Sequence, residues 1–103
     1  MDLMMVTYKV KPEEAGRNEE LVRRVYGELH RTRPSGLRYA TFVLGDGVSF
    51  VHVASTRHES DSNPLQALIA FRDFQDGIAD RCDEPPVPAL LREVDSYHFW
   101  RVD

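Results

Sequence analysis

The stretch LRYATFVLGDGVSFVHVAST, residues 37–56, decides the fold. Two runs rich in β-branched and aromatic residues, LRYATFVL and VSFVHVAST, flank Gly45, Asp46 and Gly47, residue types that accept the positive φ of a tight turn. They predict a hairpin of adjacent antiparallel strands. His52 sits in the middle of the second run with Phe50, Val51, Val53 and Ala54 around it. It is read either as a hydrogen-bonded core histidine or as a polar group shown to a ligand.

Upstream, LMMVTYKV reads as a short apolar strand. Pro12 follows at a position where a helix tolerates a missing N–H, and Glu13 and Glu14 suit the first turn of that helix. Leu21, Val22, Val25, Tyr26 and Leu29 then recur at helical spacing, with Arg23, Arg24 and Glu28 on the other side. Arg31 and Arg33 suit the helix end, and Pro34, Ser35 and Gly36 break it.

Downstream, TRHESDSN is a polar loop, with Asn63 and Pro64 as an N-cap and first-turn pair. Leu65, Leu68, Ile69, Phe71, Phe74 and Ile78 predict a second helix, bent or in two pieces. DEPPVP cannot continue it, and LLREVDSYHFW is predicted as the fourth strand. The order β-α-β-β-α-β makes this an α+β chain of the ferredoxin-like type, with a four-stranded antiparallel sheet carrying both helices on one face. The 103 residues fit one domain, 1–103.

A net charge of −4 and scattered Arg and Lys argue against nucleic acid or an anionic membrane as partner. MDLMMV lacks a basic lead and a cleavage site, and no apolar run approaches the roughly 20 residues that span a bilayer, so a cytoplasmic protein is expected. Cys82 is the one cysteine, which excludes an intrachain disulfide and a multi-thiolate zinc site. His30, His52, His58 and His98 show no paired ligand spacing, so no metal is expected. The strands do not alternate cleanly: Met4, Met5 and Val6 run together, as do Phe42, Val43 and Leu44, while Val51 and Val53 oppose Phe50 and His52. Helices can cover only one face of the sheet, so a homodimer through the open face is expected.

These residues resemble the antibiotic biosynthesis monooxygenase family. Ser35, Gly36, Leu37 and Tyr39 match the family's lead into its second strand, and Phe71, Phe74 and Gln75 match the aromatic pattern of its last helix. The chain departs from the pattern after its third strand, where Ala54, Ser55 and Thr56 stand in place of an acidic pair and tryptophan. It departs again in the next helix, where Leu68 and Ile69 occupy the region of a histidine. The resemblance implies a ferredoxin-like protomer, a dimer whose two sheets form a barrel, and an apolar pocket in each protomer between sheet and helices. The best-understood members oxidise polycyclic aromatic compounds with molecular oxygen and no cofactor.

Carried onto this chain, the expected activity is cofactor-independent monooxygenation of an aromatic or polyketide-like small molecule. His52 is the candidate catalytic group near the transferred proton. Tyr39 is the candidate hydrogen-bond donor, and Phe42, Phe50, Phe71 and Phe74 are the candidate apolar lining. A non-catalytic dimeric module that binds a small apolar ligand is the alternative. A third possibility is a structural dimer whose cavity is filled by those four phenylalanines.

Overall fold

In the computed structural model, residues 2–56 and 64–99 are described. His58, Asn63 and Trp100 lie outside them. Strand β1 (Asp2–Val10) is followed by a 3₁₀ turn at Pro12–Glu14 and helix α1 (Ala15–Thr32). The hairpin of β2 (Leu37–Val43) and β3 (Ser49–Thr56) comes next. A 3₁₀ turn at Pro64–Ala67 leads to the short helices α2 (Ile69–Gln75) and α3 (Ile78–Arg81), and then to β4 (Cys82–Leu90). The sheet order is β2-β3-β1-β4, antiparallel throughout, as the ferredoxin-like reading requires.

The hairpin turn uses its residues as their chemistry suggests. Gly47 takes φ +76°, and the Asp46 carboxylate accepts from the backbone N–H groups of Val48 and Ser49 at 2.9 and 2.8 Å. These contacts hold the Asp46 carboxyl below its usual range, with the Ser49 hydroxyl the largest cause. The second helical segment is in two pieces, as expected. Gly77 at φ +78° separates α2 from α3, a conformation that side-chain-bearing residues avoid.

The fourth strand corrects the sequence reading. It is the proline-rich CDEPPVPAL, and Leu91–Phe99 is irregular. Proline is barred from helices and central strands by its missing N–H, yet an edge strand tolerates it, and β4 is an edge. From Thr7↔Val87 to Lys9↔Glu84, β1 advances two residues and β4 three, so a bulge absorbs Pro85 and Pro86. Beyond β4 the chain returns toward the outer face of the sheet, where Phe99 shares a shallow depression with Arg38, Ala40, Phe42 and Val53.

The core lies between the other face and the helices. Tyr8, Val10 and Phe50 of the sheet meet Leu21, Val22 and Val25 of α1 and Phe71 and Phe74 of α2, all buried. Two polar contacts join the helical layer. The Glu28 carboxylate of α1 accepts from the backbone N–H groups of Ile69 and Ala70 at 3.3 and 2.8 Å, capping α2 from another helix. Buried Arg81 donates to the carbonyls of Phe74 and Asp76 at 2.5 and 3.2 Å and to Asn18 Oδ1 at 3.3 Å. It thereby closes the carboxyl end of α2 and ties it to α1.

Replacing Arg81 with leucine leaves those three acceptors without their donor, and is expected to destabilise the fold by about 3 kcal/mol. Urea unfolding of the two proteins measures it. A loss below about 1 kcal/mol would show that water replaces the guanidinium.

Candidate functional site

Between the sheet and the second helical layer lies a cavity of about 390 Å³. Its floor is Met4, Val6 and Tyr8 of β1, Tyr39 of β2, and His52 and Ala54 of β3. Leu65, Gln66, Phe71, Phe74, Gln75 and Ile78 close it from above, and Pro86 bounds it on the β4 side. Among the described residues, the lining carries no Lys, Arg, Asp or Glu. The chemistry of the wall is therefore aromatic and aliphatic, with two phenols, one imidazole and two amides.

Strand register explains why those polar groups converge. His52 lies directly opposite Val6 on one neighbour and Thr41 on the other. Tyr8 is opposite Phe50, one pair along on the same face, while Tyr39 is opposite Ala54, one pair along in the other direction. Long side chains reach across such diagonals. The Tyr8 hydroxyl meets Nε2 of His52 at 2.7 Å and the Tyr39 hydroxyl meets Nδ1 at 2.5 Å, so the imidazole is held from both sides.

A further layer supports these three. Asn18 Nδ2 donates to the Tyr8 hydroxyl at 2.9 Å. The Thr41 hydroxyl lies 3.3 Å from Nδ1 and 2.9 Å from the hydroxyl of Tyr26, whose ring stacks on Tyr39 at 5.2 Å between centroids. Tyr8 stacks on Phe50 at 5.5 Å, and the Phe74 ring lies 5.3 Å from the imidazole.

Burial sets the protonation states. His52 is 6 % exposed, and desolvation lowers its pKa to about 4, so the ring is neutral at neutral pH. Desolvation likewise pushes the Tyr8 and Tyr39 hydroxyls up, keeping both phenols protonated. The site is a neutral donor–acceptor network rather than a charged one.

Of the residues singled out in the sequence, His52, Tyr39, Phe71 and Phe74 meet at this cavity. Phe42 does not: in β2 it alternates with Tyr39 and Thr41, faces the other side of the sheet and is 52 % exposed. Phe50 is buried in the core against Tyr8 and does not line the cavity. The four phenylalanines therefore leave the space open.

Tyr8, Asn18 and Arg81 escaped the sequence reading. Asn18 offered a signal, since a polar residue three and four positions before Leu21 and Val22 falls on the buried stripe of the helix, and it is 0 % exposed. Among the described residues, no cluster of three or more His, Cys, Asp or Glu is arranged to hold a metal ion. Among them, too, no helix is long and apolar enough to cross a membrane.

No protein-family model matches the chain, and no curated protein sequence matches it either. Solved structures do. A crystal structure of an antibiotic biosynthesis monooxygenase is 20 % identical with a TM-score of 0.74, over 92 % of this chain and 100 % of that one. A Nitrosomonas europaea protein provisionally named an antibiotic biosynthesis monooxygenase is 18 % identical with a TM-score of 0.73, over 90 % and 89 %. A conserved protein from Methanosarcina mazei is 14 % identical with a TM-score of 0.71, over 90 % and 93 %. At these identities the likeness is one of fold. It bears out the ferredoxin-like protomer that the resemblance to this family implied.

The buried imidazole predicts a pH dependence of stability. The unfolded chain takes up a proton on His52 as pH falls through about 6.5, the folded chain only near 4. Between those values the unfolded state binds more protons, so stability is undiminished above about 6.5, falls as pH drops through the window, and levels off below about 4. The gap corresponds to about 3 kcal/mol. Denaturant unfolding over this pH range is expected to show the slope in the unsubstituted protein and a shallower one in His52→Gln. Equal slopes would remove His52 as their source.

Proposed function

We propose that this protein binds an aromatic or polyketide-like small molecule in the cavity and oxygenates it with molecular oxygen, without a bound cofactor. The supporting observation is the His52 imidazole held between two phenols in the wall of an uncharged, aromatic-lined space. Conversion of an activated methylene to a carbonyl balances without an outside reductant. The substrate supplies four electrons to dioxygen, one oxygen atom enters the product and the other leaves as water. The protein's part is to hold the substrate oxygen at Tyr39, accept a proton at the imidazole by way of the Tyr8 hydroxyl that bridges the cavity and Nε2, and keep water from the resulting carbanion. His52 is neutral and free of a proton on one nitrogen, and a substrate anion beside it offsets the desolvation that opposes the imidazolium. The structural neighbours named for antibiotic biosynthesis monooxygenation lend the reaction class.

A second reading, a non-catalytic ligand-binding module, is favoured by one feature. Both ring nitrogens of His52 already have partners and its pKa of about 4 makes it a weak base. A panel of anthrones and hydroquinones, incubated aerobically and anaerobically without added metal or flavin, separates the two. Oxygen-dependent product, reduced about 100-fold or more in His52→Ala at equal folded concentration, is expected of the enzyme. Binding of the panel without turnover assigns the module.

We further propose that two copies pair through the outer sheet face. Met5, Val51 and Val53 lie there half-buried, and Phe42 and Val87 at 52 % and 60 % exposure. An apolar surface of this kind is covered most simply by its own twofold copy. Cys82 as a lone thiol fits the reducing cytoplasm. Sedimentation equilibrium is expected to give a dimer, and Phe42→Glu a monomer that keeps its fold. A monomeric parent protein overturns the pairing.

A further inference from the structure

We infer that a one-way chain of hydrogen bonds, running from the Arg81 guanidinium through Asn18, Tyr8 and His52, makes the Tyr39 hydroxyl a donor to the cavity and selects ligands with a neutral carbonyl or ether oxygen. The direction begins at Arg81, which has donors and no acceptor. The Asn18 atom 3.3 Å from its Nε is therefore the amide oxygen, and the amide nitrogen is left to donate to the Tyr8 hydroxyl at 2.9 Å. Among the described residues the Tyr8 hydroxyl bonds to Asn18 and His52. Having accepted from Asn18, it donates its own proton to Nε2 at 2.7 Å, since the reverse arrangement leaves a buried O–H without a protein acceptor.

A neutral imidazole that accepts at Nε2 carries its hydrogen on Nδ1. Nδ1 then donates to the Tyr39 oxygen at 2.5 Å. Three protons, those of Tyr8, His52 and Tyr39, serve two contacts, so the Tyr39 proton is left over. In the unliganded protein the Thr41 hydroxyl beside it takes that proton, and a ligand oxygen in the cavity, which Tyr39 lines, competes for it. Gln66 and Gln75 add amides, and among the described residues no cation lines the cavity to hold a carboxylate or phosphate. A buried arginine that does not itself line the cavity thus acts as a positioning residue for a donor at its floor. The ligand half of this inference rests on the proposed reading of the cavity as a binding site; the direction of the chain does not.

Nitrogen-15 NMR of the His52 ring at about pH 8, where the ring is neutral, tests the chain directly. The unsubstituted protein is expected to be protonated on Nδ1. In Asn18→Asp the carboxylate accepts from both Arg81 and Tyr8, so the ring is expected to switch to Nε2–H and the Tyr39 proton to turn inward to Nδ1. An Nε2-protonated ring in the unsubstituted protein overturns the inference, as does an unchanged ring in folded Asn18→Asp. Should that variant not fold, the unsubstituted spectrum decides alone.

For the ligand, fluorenone and fluorene share a shape and differ in one carbonyl. Calorimetry is expected to show fluorenone bound about tenfold more tightly, with the preference lost in Tyr39→Phe. Equal affinities overturn the selection. Binding of neither overturns the cavity reading, while the ring spectrum still decides the chain.

Discussion

The imidazole of His52 touches phenols on both neighbouring strands, and that contact depends on register alone. Were β3 to slip by one residue against β1 or β2, His52 would pass to the outer face and Val51 or Val53 would face the helices. The cavity floor, the stacking of Tyr8 on Phe50 and the meeting of Tyr39 with the ring all follow from the present pairing. The hairpin turn stabilises that register locally through Asp46 and Gly47. The network stabilises it at a distance, since a buried ring with two unsatisfied nitrogens would be costly.

The second constraint is the brevity of the helices that roof the cavity. Helices α2 and α3 are too short to be stable by propensity, and their ends lie where neighbouring elements supply the missing partners. Glu28 of α1 satisfies the amino end of α2, and Arg81 satisfies its carboxyl end while reaching Asn18. The same guanidinium lies 5.4 Å from the centre of the Phe74 ring. Roof and floor are thereby joined through one buried side chain. This is the physical route by which a residue outside the cavity bears on the groups within it.

The two faces of the sheet divide the work. The inner face holds the neutral network and the cavity, while the outer face presents Phe42 and Val87 beside half-buried Met5, Val51 and Val53. Alternation along each strand separates these roles completely. For that reason Phe42, two residues from Ala40 and three from Tyr39, belongs to the surface and not to the site.

The element order, the amphipathic stripe of α1 and the division of the second helical segment were legible in the sequence, because hydrophobic period and turn chemistry are local properties of the chain. His52 could be picked out for the same reason, as a polar residue within an apolar strand. The fourth strand was misplaced because prolines that forbid a helix also permit an edge, and which strand lies at the edge is a property of the assembled sheet. The contact of His52 with Tyr8 and that of Arg81 with Asn18 were equally invisible, since they join residues 44 and 63 apart. Periodicity assigns a residue to a face; only the folded register decides which side chains on that face touch, and therefore which nitrogen of His52 meets which phenol.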